Sequence, residues 1–349
     1  MLINLANGFA DQNHDTSLLV FQPVGPFKKL VSEKVRIKEA PFSLKAFFLI
    51  PWLISQFLLL KPDRIISTQN APNVVTVLSA LPIGFRKKVI LREASVPSAK
   101  MRGKKGIMEK VYDVISKSIY PMIDKHVAIS NYVKKDLIRY YKLDPENIRT
   151  IYNPVITAEV DDLILKKPSD NWFKHSEPVA IAVGGIRPEK NYPVLVELIR
   201  VINDRRNCKL IILGDFTDLE EYRKLRKSIR ELNLTDKIKF KGFKENPYSY
   251  LAKADVFIHS SKYEGGANSI VEALYCGCPV VATECPGAVK GILDYGKCGE
   301  LIPYGDVYKM AEATIRQIEK SNKFTSFKKR KDKFTTKKSV KEYMAYIYD

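Results

Sequence analysis

The chain has 349 residues, more than one ordinary hydrophobic core supports, so two domains are expected. Its 45% hydrophobic and 28% charged residues are the composition of a globular protein with a folded core. The formal net charge of +19 is uneven: residues 86–105 hold eight basic residues against Glu93 alone, and residues 323–341 hold nine against Asp332 alone. Such clusters attract a phosphate-rich surface, with up to about 1 kcal/mol for each Lys or Arg near an anionic membrane. No nucleic-acid motif accompanies either cluster, so an anionic membrane surface is the expected partner and nucleic acid is not. The five cysteines (208, 276, 278, 285, 298) form no C-x2-C pair, and the chain has four histidines. That argues against a metal cage or disulfide framework and suits a reducing cytoplasm. No cleavable signal sequence is read.

In chain order, residues 1–10 read as a helix with Leu2, Leu5, Phe9 and Ala10 apolar, followed by a polar turn and a strand over 18–21. Residues 42–60 form the most apolar stretch, and a spanning helix of about 20 residues is barely possible by length. Lys45 and Pro51 argue against one, and the strand–helix alternation continues on both sides, so a buried or membrane-touching helix is expected. Strands follow at 64–67, 88–92, 126–130 and 149–152, with helices near 72–80, 106–120 and 131–140. Each strand-then-helix step implies parallel, doubly wound packing. Asn153-Pro154 closes this half, since proline discourages continuation, and the polar segment 157–177 reads as a linker.

The second half opens with a strand over 179–183 and then Gly184-Gly185-Ile186-Arg187-Pro188-Glu189-Lys190-Asn191. A glycine turn leading into a helix with cations near it is an anion site on physical grounds. Strands at 209–213 and 238–240 flank a charged helix that runs to about 232. A strand over 256–258 ends in His259-Ser260-Ser261, and a tight loop follows: Glu264, then Gly265-Gly266, which permit backbone geometry closed to other residues. Asn268 and Ser269 are N-cap types, and Ile270, Val271, Ala273 and Leu274 give the next helix a buried face. Strands at 279–283 and 300–302, a turn at 285–288 and a helix at 306–320 complete the alternation. Amides of Gly266, Ala267 and Asn268 at that helix start favour an anion. Glu272, one turn in, can accept hydrogen bonds from a ribose diol, and Glu264 from hydroxyls of a second ring. A phosphate flanked by two polyols describes a nucleotide sugar. Taken singly, either carboxylate reads equally well as a solvated surface group.

The run from Glu264 to Thr283, EGGANSIVEALYCGCPVVAT, resembles the E-x7-E signature of the family 4 retaining glycosyltransferases. The resemblance is strong over 178–305 and weak over most of the rest. It implies the α/β GT-B fold, two facing Rossmann-like doubly wound parallel-sheet domains. Residues 1–160 would form the N-terminal acceptor-side domain and 161–322 the nucleotide-sugar-binding domain. A basic tail, 323–349, would return to the first domain. Related enzymes begin with a strand and a glycine-rich loop before the first helix, so the first strand of the N-terminal domain is expected to be missing here.

The implied reaction is metal-independent transfer of a sugar from a UDP- or GDP-linked donor to a hydroxyl of a glycan acceptor, with retention and without a cofactor. By resemblance, Glu272 binds the donor ribose, and Glu264 contacts the donor sugar beside the reaction centre. Lys190 matches the lysine of the family's phosphate motif. Aligning on Lys190-Asn191 puts Gly185 where the family has an arginine, and Arg187 supplies that charge only if it reaches back. Gly265, Gly266, Ala267 and Asn268 complete the donor-binding set, and the amides of Gly265 and Gly266 would join Lys190 in opposing leaving-group charge. Glu93, at a strand end in Leu91-Arg92-Glu93-Ala94-Ser95, is an acceptor-side candidate. The basic clusters and the 42–60 stretch suggest a lipid-diphosphate-linked acceptor in bacterial surface-polysaccharide synthesis, lipopolysaccharide or capsule. The enzyme would then sit peripherally on the inner, cytoplasmic face of the cell membrane. A nucleotide-sugar epimerase or hydrolase on the same architecture, or a non-catalytic donor- or membrane-binding member, remains an alternative.

Overall fold

A computed structural model describes residues 1–21, 26–41, 46–102, 106–168, 170–174, 176–320 and 325–348. Residues 42–45 of the apolar stretch, 103–105 of the first basic cluster and 323–324 of the second lie outside the described residues. The chain divides into two compact units, Met1–Val155 with Lys333–Asp349, and Ile156–Asp332.

The first unit begins with α1 (Leu2–Asp11), β1 (Ser17–Val20), β2 (Arg36–Glu39), α2 (Ile50–Leu60), β3 (Ile65–Thr68) and α3 (Asn70–Ala80). It continues through β4 (Val89–Glu93), α4 (Pro97–Met101), α5 (Ile107–Ile119), β5 (Lys125–Ala128), α6 (Asn131–Tyr141) and β6 (Ile148–Thr150). β1 and β2 form a two-stranded parallel sheet, Leu18 beside Ile37. β2 is a strand the sequence reading lacks. Its Arg36-Ile37-Lys38-Glu39 holds one apolar residue among three charges, so no hydrophobic alternation marks it.

β3, β4, β5 and β6 form a four-stranded parallel sheet in that order. Successive side chains of a strand point to opposite faces, and β4 shows both faces covered. Val89 and Leu91 enter a core with Val74, Val77, Tyr120, Val133 and Leu137. Ile90 enters another with Leu5, Phe9, Val340 and Tyr343. That is the two-sided burial a parallel sheet requires. α2 has eleven residues, about 16 Å of helix, and begins at Ile50 with Pro51 in its first turn, where proline costs no hydrogen bond. Among the described residues no helix is long and apolar enough to cross a membrane.

The second unit starts with α7 (Val160–Leu165). This corrects the linker reading of 157–177. Trp172 is buried, with Lys239 Nζ 3.9 Å from its ring centroid, and buried Asp170 accepts from the Trp172 amide at 2.8 Å. Asp170 is an internal partner, paired also with Lys241, which composition alone does not reveal.

Then come β7 (Val179–Val183), α8 (Pro193–Asn203), β8 (Lys209–Leu213), α9 (Leu219–Glu231), β9 (Ile238–Phe240), α10 (Tyr248–Leu251) and β10 (Val256–His259). After them are α11 (Asn268–Tyr275), β11 (Val280–Glu284), α12 (Val289–Ile292), β12 (Glu300–Pro303) and α13 (Val307–Lys320). The final helix, α14 (Thr336–Tyr348), belongs to the first unit and packs against α1. The second sheet is six-stranded and wholly parallel, in the order β12-β11-β10-β7-β8-β9. The chain runs outward from β7 to β9 and then returns to the other side of β7. The strand order therefore reverses between β7 and β10, and in open parallel sheets ligands bind at the carboxyl ends of such a pair.

Candidate functional site

The loops leaving β7 and β10 meet at that reversal. The first carries Gly184 to Asn191 and the second His259 to Glu264. Glu264 Oε1 accepts from Lys190 Nζ at 2.5 Å, from Ser261 Oγ at 2.8 Å and from His259 Nε2 at 3.2 Å. A carboxylate only accepts, so the proton on His259 sits on Nε2. Three donors thus converge on one oxygen, leaving Oε2 to accept from something else. Burial by itself would raise the Glu264 pKa, but the Lys190 ammonium and His259 hold it well below the usual carboxylate range. Ser260 Oγ ties the loops together by donating to the Lys190 carbonyl at 2.8 Å.

The Glu264 backbone is fixed as firmly as its side chain. Its N–H donates to the Pro286 carbonyl at 2.9 Å, and its carbonyl accepts from Ala288 at 2.8 Å, a bridge to the loop after β11. Gly287 makes that approach possible: it has φ +132°, and a Cβ there would lie 1.7 Å from the Glu264 carbonyl oxygen. The sequence reading sees a turn at 285–288 but gives it no part in the site. His259 and Ser261 were visible as polar residues at a strand end, the available signal, and were likewise given no role.

Helix α11 departs from the expected cap. Asn268 is its first helical residue, and the preceding position is Ala267 at φ 41°, ψ 47°, with no side-chain cap. Left-handed backbone at a residue with a Cβ costs roughly 1–2 kcal/mol. The amides of Gly266 and Ala267 have no hydrogen-bond partner among the described residues. Glu272 is half-buried on α11, and desolvation raises its pKa to about 7, opposed by Lys190. The site therefore pairs an ionised carboxylate with one that takes up a proton near neutrality.

Around Gly185 the geometry is crowded. A Cβ there would lie 2.3 Å from Asp215 Oδ1 and 2.8 Å from Thr217 Oγ1, so a side chain must displace both. Arg187 is exposed, and its Nε donates to Thr217 Oγ1 at 3.4 Å. Lys190, not Arg187, is thus the cation beside Glu264. Among the described residues no group of three or more His, Cys, Asp or Glu side chains is arranged to hold a metal ion.

Glu93 belongs to the first unit. It ends β4, is 2% exposed, and lines a cavity of about 70 Å³ with Asn70, Lys100, Tyr112 and Tyr141. Ser95 donates to Oε1 through its hydroxyl at 2.7 Å and its amide at 3.1 Å, while the buried Oε2 has no partner among the described residues. Burial raises its pKa, with Ser95 opposing.

The whole chain has close structural counterparts. Anabaena HepE, solved in complex with UDP-glucose, superimposes with a TM-score of 0.82 at 19% identity, over 99% of this chain and 94% of that one. A glycosyltransferase from Rickettsia africae gives a TM-score of 0.77 at 16% identity, over 99% and 92%. In sequence, the chain is 25% identical over 277 residues to N-acetylgalactosamine-N,N'-diacetylbacillosaminyl-diphospho-undecaprenol 4-alpha-N-acetylgalactosaminyltransferase of Campylobacter jejuni, covering 78% of this chain and 73% of the relative. It is 28% identical over 188 residues to the lipopolysaccharide 1,6-galactosyltransferase of Escherichia coli K12, covering 53% and 49%. Residues 165–334 match the family model of glycosyl transferases group 1, and residues 1–159 match that of glycosyltransferase family 4. With two Rossmann-like parallel-sheet units in the GT-B fold and family matches over both, the chain belongs to the family 4 glycosyltransferases.

Proposed function

We propose that this glycosyltransferase moves a sugar from a UDP- or GDP-linked donor to a hydroxyl of a lipid-diphosphate-linked glycan, with retention and without a metal, in surface-polysaccharide synthesis. The observation that carries this reading is the Lys190–Glu264 pair at the strand-order reversal, which sets a fixed cation beside a carboxylate with one oxygen to spare. Departure of a nucleoside diphosphate builds negative charge. Lys190 opposes it, together with the loop amides of Gly266 and Ala267, and a preorganised donor is worth most where charge grows. Oε2 of Glu264 accepts from a hydroxyl of the donor sugar and orients the ring. Glu272 accepts from the ribose diol. No residue is assigned here as a nucleophile, and attack from the face that the leaving group vacates is what the family resemblance implies.

Glu93 is the acceptor-side residue in this reading, its buried Oε2 holding a polar group that enters the cavity beside Lys100. The Campylobacter relative's name carries a diphospho-undecaprenol acceptor, which supports a lipid-linked substrate here. The clusters at 86–105 and 323–341 support peripheral attachment to the anionic inner face of the membrane. Turnover of a nucleotide-sugar panel, with and without membrane lipid extract, tests the proposal. Transfer that needs the extract is expected. Free sugar released at the same rate without it would show a hydrolase or epimerase, and binding without turnover would show a non-catalytic member.

Glu272 gives two sharper expectations. Glu272→Ala removes hydrogen bonds to a charged acceptor worth roughly 1.5–3 kcal/mol, a loss of about 10- to 100-fold in nucleotide affinity. Calorimetry with UDP and GDP measures it, and unchanged affinity would sink the ribose assignment. The pH dependence follows from the same carboxyl. Two ribose hydroxyls donating to Glu272 require it ionised, whereas in the empty site its pKa is about 7. Below that value binding must expel a proton, so affinity is low in acid, rises with pH and levels off above 7. Between pH 6 and 8 the gain for a nucleotide sugar, whose diphosphate diester has no proton to lose there, is about tenfold. A flat profile in wild type, or the same slope in Glu272→Gln, would contradict it.

A further inference from the structure

The cavity at the end of β4 contains a carboxyl oxygen without a partner. Ser95 donates twice to Oε1 of buried Glu93, while Oε2, equally buried, has no hydrogen-bond partner among the described residues. Such a group is costly to leave unpaired and calls for an occupant. The other carboxylates lining the cavity are engaged. Glu109 Oε2 accepts from the Gly106 amide at 2.6 Å, and Asp113 accepts from Tyr140 at 2.9 Å and pairs with Lys117 at 2.7 Å. Lys100 is the cation of the lining, and it has no ion pair among the described residues. The rest of the wall includes Ala71 and the rings of Tyr141 and Tyr112, the latter held by stacking on Phe47 with centroids 4.8 Å apart.

We propose that this cavity is a specificity pocket for the acetamido group of an N-acetylated amino sugar in the acceptor glycan. This rests on the acceptor-side reading of Glu93 given above and names the acceptor's chemical class. The match runs group by group. The acetamido N–H donates to Glu93 Oε2, the carbonyl oxygen accepts from Lys100, and the methyl lies against Ala71 and the tyrosine rings. A protonated Glu93 is satisfied too. Its Oε1 already takes two donors, so the proton sits on Oε2 and is donated to the amide carbonyl. Size decides against a water or a lone hydroxyl. Each needs about 10–15 Å³, whereas nitrogen, carbonyl and methyl together fill most of a cavity of about 70 Å³. Charge decides against an anion, since Glu93, Glu109 and Asp113 face it with Lys100 as the single counter-charge of the described lining. A free ammonium would meet Lys100 in the same small space and would present no carbonyl to it.

The test is saturation-transfer difference NMR on the full chain with the methyl glycosides of N-acetylgalactosamine, N-acetylglucosamine, galactose and galactosamine, without donor. At least one N-acetyl glycoside should bind, its acetyl methyl should receive the strongest saturation, and the corresponding hydroxyl and amine sugars should bind at least about tenfold more weakly. Glu93→Leu, which removes the polar partner, and Ala71→Leu, which fills the methyl end, should each lower that binding by at least about tenfold. Glu93→Gln, which keeps shape and hydrogen bonding, should stay within a fewfold of wild type. Dependence on Glu93 and Ala71 places the signal in the cavity. Should Glu93→Leu fail to fold, Ala71→Leu and the sugar preference of wild type still decide. Absence of binding by both N-acetyl glycosides overturns the proposal, as does equal binding of galactoside and N-acetylgalactosaminide. A preference for the amine, or binding unchanged in the folded variants, overturns it as well. Glycoside binding and donor turnover are separate readings. Acetamido preference without any transfer would uphold the pocket and sink the transferase assignment, whereas transfer to acceptors without that preference would do the reverse.

Discussion

Replacing Lys190 by alanine is expected to lower kcat by about 10²- to 10³-fold while the donor's KM changes far less. The ammonium faces charge that is fully developed only as the diphosphate leaves, so its removal weakens the transition state more than the bound donor. A second consequence follows from its place in the site. Without Lys190, Glu264 keeps only His259 and Ser261 as donors, and a poorly solvated carboxylate loses its counter-charge. Breaking one side of a buried pair destabilises a protein by up to about 3–5 kcal/mol, less where solvent reaches the pair as it does here. Lys190→Ala should therefore melt at a lower temperature than wild type. The double variant with Glu264→Gln should recover much of that loss and none of the activity. Arg187, exposed and bonded to Thr217 at 3.4 Å, should tolerate alanine with less than about a tenfold loss of kcat. Steady-state kinetics with thermal melts checks all three. A mild Lys190→Ala beside a crippling Arg187→Ala would transfer the role to Arg187.

What the sequence shows and hides here follows from how far apart the interacting residues lie. Parallel strands buried on both faces leave continuous apolar runs, so β4, β7, β8 and β10 are readable, while β2 is not, because three of its four residues are charged. Glu264 and Lys190 stand out because nearby glycines mark loops that leave strands, and Glu272 because it lies eight positions after Glu264, one turn into the following helix. The convergence of Lys190, His259 and Ser261 on one Glu264 oxygen depends on where the loop after β7 lands against the loop after β10, 74 residues from Lys190 to Glu264. No local pattern encodes that distance. Helix α5 shows a different limit: periodicity identifies an apolar face but not the side on which the core lies. Only the structure shows that Asp113 and Ser116 point inward and Ile107 and Val114 outward. At Gly185 the sequence marks a departure from the family pattern. The structure supplies a steric reason, since Asp215 and Thr217 occupy the space a side chain would need.

Gly287→Ala is expected to disable turnover from a position that touches no substrate. The added Cβ would lie 1.7 Å from the Glu264 carbonyl oxygen and 2.6 Å from its carbonyl carbon, both backbone atoms that no rotamer change can clear. At φ +132° an alanine is strained even before that contact is counted. The loops must therefore separate, and with them go the hydrogen bonds from Glu264 to Pro286 and from Ala288 to Glu264. Overpacking of this kind typically costs about 1–3 kcal/mol. A shift of about 1 Å in a positioned group can cost about 10²-fold in rate, so kcat should fall by at least that much. Glu272 sits on α11, away from the bridge, and nucleotide affinity should change by only a fewfold, since it depends on contacts the substitution leaves in place. The two readings together decide the matter. Loss of turnover with UDP binding retained means that Gly287 acts by holding Glu264 in place. Equal loss of both would mean that the whole loop after β10 has collapsed, and full activity would mean that the Glu264 backbone position has no bearing on the reaction.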